Sequence, residues 1–60
     1  MTADDIVTRI TEAPTADEGL VILGRVSRRL LEAVADLLYV DTFGLSPASI
    51  RAAILAEARA

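Results

Sequence analysis

The sequence contains no cysteine, no histidine, no lysine and no tryptophan. Without cysteine there is neither a disulfide nor a thiolate metal ligand. Without histidine, the commonest metal ligand and the commonest general acid–base group are both missing. Nucleophilic catalysis draws on an activated Ser, Cys or Lys, and two of those three are absent as well. Aromatic residues are scarce, with Tyr39 and Phe43 the only two. Apolar runs such as Leu20-Val21-Ile22-Leu23 fall far short of the ~20 residues a membrane-spanning helix needs. The chain opens on Asp4 and Asp5 rather than on a basic leader segment, so the expected compartment is the cytoplasm.

What remains is aliphatic and helix-forming. Eleven of the 60 residues are alanine, which favours helix over strand. All six basic residues are arginine, a bias that fits a GC-rich bacterial or bacteriophage genome. Sixty residues make one domain at most. A domain of that size buries only about 60% of the surface its unfolded chain exposes. Small chains usually compensate with a disulfide, a metal or a partner. With the first two disfavoured, the expectation is efficient helix packing, or association with another copy or another helical protein, and no cofactor. The formal charge of −3 argues against a general nucleic-acid binder, although a local basic cluster can outweigh the total.

Capping signals divide the chain. Thr2-Ala3-Asp4-Asp5 starts a helix over about residues 3–12, with Ile6, Val7 and Ile10 on one stripe and Pro14 ending it. Thr15-Ala16-Asp17-Glu18 is a second capping box. Beyond it the pattern stays open. One helix from Ala16 to about Tyr39 would place Leu20, Leu23, Ser27, Leu30, Val34 and Leu37 on a heptad seam. That frame puts Val21 and Ile22 outside, with the arginines. A break near Gly24–Ser27, with Ser27 capping a new helix, resolves the conflict and is the preferred reading. A third reading makes Gly19–Gly24 a short strand paired with Leu38-Tyr39-Val40. From Arg25 onward, Val26, Leu30, Leu31, Val34, Leu37 and Leu38 are expected inside, and Arg25, Arg28, Arg29, Glu32, Asp36 and Tyr39 outside. Val40–Gly44 reads as a turn anchored by Phe43. Ser46, Pro47 and the Leu45/Ile50 pair start a last helix whose inward residues are Ile50, Ala53, Ile54 and Ala58. The expected fold is all-α, a small bundle of three or four short helices forming one domain over 1–60.

Chemistry is sparse. The pairs Asp4-Asp5 and Asp17-Glu18 sit in first helical turns, where acids favour the helix dipole. Glu32 and Asp36 share a face, but two carboxylates are few for a cation that takes six to eight oxygen ligands. Their expected role is to partner Arg28 and Arg29. Gly19 and Gly24 have the spacing of a phosphate loop, yet Arg25-Val26 follows in place of Lys-Ser/Thr, so the mechanism is missing. These features point away from catalysis and from a metal site.

Leu30-Leu31-x-x-Val34-Ala35-x-x-Leu38, an extended Tyr39-to-Leu45 connection containing Gly44, and Ser49-Ile50-x-x-x-Ile54 form a recognisable cadence. Over residues 30–57 the chain resembles helix–extended-loop–helix modules such as SAP domains and the Rho N-terminal domain, some of which bind nucleic acid. The stretch also looks like a helix-turn-helix with an overlong turn. Where those families usually carry Lys or Arg around the loop and second helix, this chain has only Arg51 and then Arg59.

Two functional expectations follow. The first is a non-catalytic, self-associating protein-interaction module, a small accessory or regulatory factor. A core this small cannot cover every apolar residue, and Leu20, Val21, Ile22 and Leu55 are its expected contact surface, with Val40 a further apolar residue left over. The alternative is a nucleic-acid-binding helix–loop–helix module contacting phosphates through Arg25, Arg28, Arg29 and Arg51.

Overall fold

The computed structural model describes residues 2–60. It folds as four helices: α1 (Ala3–Glu12), α2 (Ala16–Gly24), α3 (Arg28–Leu37) and α4 (Pro47–Ala58). No strand occurs among the described residues, and Gly19–Gly24 is helical. Each helix begins on a hydroxyl cap, with Thr2, Thr15, Ser27 and Ser46 accepting from the backbone N–H of Asp5, Glu18, Leu30 and Ser49. Such a cap contributes about 1 kcal/mol, a sizeable share of what holds so small a domain together. At Thr2 the box is reciprocal, because the Asp5 carboxylate accepts from the Thr2 N–H.

The break expected near Gly24–Ser27 is present. α2 stops at Gly24, Arg25 and Val26 turn the chain, and Ser27 caps α3. Both α2 and α3 pack mainly on α1 and α4 rather than on each other. The shared core contains Ile6 and Ile10 of α1, Leu23 of α2, Leu31, Val34 and Ala35 of α3, and Ile50, Ile54 and Leu55 of α4. No polar side chain is buried among the described residues.

Several expectations about the interior change. Leu37 is 46% exposed rather than inside. Once α3 starts afresh at Ser27, its buried stripe runs Leu31, Val34, Ala35 with Leu38 beside it, and Leu37 lies about 100° around the helix from Leu38. Phe43 does not anchor the turn; it is 92% exposed, and Val40 and Leu45 pack against the core in its place. Leu55, expected at the surface, is buried at 7% exposure. The reason lies on α2. Gly19 has no side chain, so Leu55 of α4 fills the space where a Cβ would stand, 2.5 Å from its Cδ1. Ile22 is half-buried against the core, and so is Val40.

One tertiary contact replaces a hydrogen bond the sequence deletes. The carbonyl of Ile10 would accept from the N–H of residue 14 in a continuing helix, but Pro14 has none. Ala13 is extended at φ −58°, ψ 135°, and α1 ends there. The Arg59 guanidinium donates instead, to Ile10 O at 3.2 Å and Ala13 O at 2.7 Å. This ties the end of α4 to the end of α1, where a cation also complements the helix dipole.

Three substitutions test these contacts. Gly24 meets nothing within 4 Å of an added Cβ, so Gly24→Ala is expected to stabilise by about 0.5–1 kcal/mol. Gly19→Ala must displace Leu55, and its urea midpoint should fall below that of Gly24→Ala by an amount worth ~1 kcal/mol or more. Arg59→Ala is expected to cost about 1 kcal/mol in the same assay, through the two orphaned carbonyls.

Candidate interaction site between α1 and α2

Four consecutive apolar residues, Leu20-Val21-Ile22-Leu23, wrap most of the way around a helix at about 100° per residue. α1 and α4 cover only part of that circumference. Leu23 is wholly buried, Ile22 half-buried, Leu20 41% exposed and Val21 59% exposed. The four residues expected to form one contact surface are thereby split between two grooves. Leu20 and Leu55 line a groove between α2 and α4 of about 350 Å³, together with Ala16, Ala52, Ala56 and Arg59. Val21 and Ile22 line a second, of about 320 Å³, together with Arg9, Arg25 and Val26.

The second groove has a more distinctive chemistry. Its walls are aliphatic, and its two charged members, Arg9 from α1 and Arg25 at the end of α2, carry the same sign. Both are exposed, and neither guanidinium donates a hydrogen bond to another protein group among the described residues, whereas that of Arg59 donates two. Arg9 was not singled out in the sequence because it stands 16 residues from Arg25, and only the packing of α1 on α2 brings the two to one place.

The arginines expected on one helical face are separated by the break. Arg25 is the C-cap residue of α2, while Arg28 and Arg29 open α3. Arg51 is half-buried on α4. Arg28 and Arg29 occupy a first turn that holds no acid, whereas α1 and α2 place Asp4, Asp5, Asp17 and Glu18 there. The positive end of a helix disfavours cations by a few tenths of a kcal/mol each, up to about 1. Glu32 and Asp36 are exposed on α3. No group of three or more carboxylates that could hold a metal ion occurs among the described residues. None of the described helices is long and apolar enough to cross a membrane.

The second unusual surface lies on the α3–α4 connection. The only two aromatic residues, Tyr39 and Phe43, are 96% and 92% exposed. Neither hangs on a slack loop. The N–H of Tyr39 donates to Asp36 O at 3.2 Å and the N–H of Val40 to Ala35 O at 2.8 Å, which is the paired bonding of a Schellman cap. That cap needs a left-handed residue, usually glycine, and here it is Tyr39 at φ 57°. Phe43 N–H donates to the Asp41 carboxylate at 2.9 Å, Leu45 N–H to Thr42 O at 3.1 Å, and Gly44 supplies φ 75°. The ladder of backbone bonds thus holds two large apolar side chains out in water. A sequence signal existed, since both aromatics stand in a stretch with Asp41, Thr42 and Gly44, residues that make turns rather than cores.

No family model, curated protein or solved structure matches this chain.

The left-handed tyrosine yields a direct test. Tyr39→Gly removes a conformational cost of about 1 kcal/mol while deleting a side chain that is nearly all in solvent. The variant is expected to unfold at higher urea than the parent chain, with an unchanged denaturant slope.

Proposed function

We propose that this chain is a non-catalytic protein-interaction module that self-associates. The observation that carries this reading is the placement of large apolar side chains outside a core that closes without them. Leu20, Val21, Leu37, Tyr39 and Phe43 are all exposed, while nine aliphatic residues from all four helices pack together beneath. Burial of an apolar side chain stabilises by roughly 1.5–3 kcal/mol, so a chain that leaves five outside forgoes a great deal unless another surface covers them. The absence of Cys, Lys and His supports the non-catalytic half of the reading.

A second reading is favoured by one feature. Arg28 and Arg29 sit where their own helix repels them, which suits contact with phosphates supplied from outside. It competes with a net charge of −3 and with the separation of Arg25 from that pair.

Sedimentation equilibrium over a range of concentrations, with and without a short DNA duplex at low salt, separates the two. Self-association predicts an average mass above that of one chain, unaffected by DNA. It also predicts that Leu20→Ser with Val21→Ser lowers the mass toward monomer without loss of helicity, because both side chains are exposed. A monomer that co-sediments with DNA and releases it as salt rises would replace this reading with the second.

A further inference from the structure

The unexplained groove and the unexplained loop complement each other. We propose that the groove between α1 and α2 receives the Tyr39–Phe43 loop of a second copy of this chain, so that copies join head to tail. The proposal rests on the self-association reading and specifies which surfaces meet.

Charge is the first argument. The groove's two charged lining residues, Arg9 and Arg25, are cations. The aromatic loop carries the opposite sign: every charged residue between Arg29 and Arg51 is acidic, namely Glu32, Asp36 and Asp41, and the last two flank Tyr39. An acidic loop entering a slot bordered by two arginines meets opposite charge at close range, while two loops or two such grooves brought face to face would repel.

Size and chemistry agree. The groove measures about 320 Å³ and is walled by Val21, Ile22 and Val26. A cavity of about 150 Å³ accommodates a benzene ring, so this one has room for an aromatic side chain. Phe43 and Tyr39 are the largest exposed apolar groups available to fill it, and their loop is already ordered by its own hydrogen bonds. Little conformational freedom is therefore lost on docking.

The loop cannot serve its own groove. α3 runs from Arg28, just past Val26 of the groove, to Leu37, just before the loop. Ten helical residues hold those ends about 15 Å apart. The cap at Tyr39 ties the loop to α3, the turn at Asp41 orders it, and Val40 and Leu45 pack it on the core. The donor of the loop must be another molecule. Because the two surfaces differ, each copy offers both, and association continues beyond a dimer unless it closes into a ring.

The decisive experiment mixes two half-disabled variants. One carries Arg9→Glu and Arg25→Glu in the groove; the other carries Tyr39→Gly and Phe43→Ser in the loop. Circular dichroism checks that each keeps its helicity. The residues are all exposed, and Arg9→Gln with Arg25→Gln serves if the charge reversal disturbs the fold. In sedimentation equilibrium the parent chain should pass beyond twice the chain mass as concentration rises, and do so less at high salt. Each variant alone should remain at one chain mass. An equimolar mixture should reach twice that mass and stop, because the intact loop of one fits the intact groove of the other. If the parent chain is monomeric throughout, the self-association reading and this proposal fall together. If it associates but either variant alone still dimerises, or the mixture stays at one chain mass, self-association stands and head-to-tail docking is wrong.

Discussion

The hydrogen bond from the N–H of Leu30 to the Ser27 hydroxyl starts a helix where an uninterrupted heptad pattern would have carried an old one onward. Gly24 and the turn at Arg25–Val26 weaken continuation, and the cap at Ser27 makes the restart favourable by about 1 kcal/mol. The rest of the architecture depends on this redirection. A single rod from Ala16 to Tyr39 would be some 36 Å long at 1.5 Å per residue. The observed molecule extends 29 × 20 × 19 Å, with α2 and α3 gathered around α1 and α4. The same break distributes the arginines, sending Arg25 to the α1–α2 groove and leaving Arg28 and Arg29 at the head of α3.

A core without aromatic residues must gain its stability from close approach. Gly19 shows how it is reached: α4 lies near enough to α2 that the Leu55 side chain occupies the position of a missing Cβ. Arg59 shows a second device, in which one guanidinium closes the end of α1 that Pro14 leaves without a donor. Neither adds much buried area. Both remove the voids and unpaired carbonyls that a 60-residue chain has little margin to tolerate.

The two aromatic residues run against this economy. They are the chain's largest apolar side chains, and a fold limited by core size holds them outside it on a bonded turn, one of them in a backbone conformation that costs energy. Local strain sustained by surrounding structure concentrates where proteins bind. Under the head-to-tail proposal, the loop and the arginine-bordered groove are the two halves of one contact.

Much of the fold was legible because helix boundaries are local events. Thr2, Thr15, Ser27 and Ser46 each satisfy an N–H three residues on, and Pro14 ends α1 through its own ring, so local spacing set those starts and that end, while residues 16–39 stayed open between one helix and two. The sequence by itself also determined the stripes of Ile6 and Ile10 and of Ile50 and Ile54, which periodicity alone assigns to one side. The candidate site was legible only in part: Val21, Ile22 and Arg25 stood out in the sequence, whereas Arg9, Tyr39 and Phe43 did not. Which side of each helix met a neighbour was settled by contacts between helices. Leu55 went inside because Gly19 faced it, Leu37 and Phe43 went outside because α3 and its cap turned them from α1 and α4, and Arg9 joined Arg25 because α1 packs on α2. Those outcomes depend on contacts between residues far apart in the chain, which no local spacing encodes.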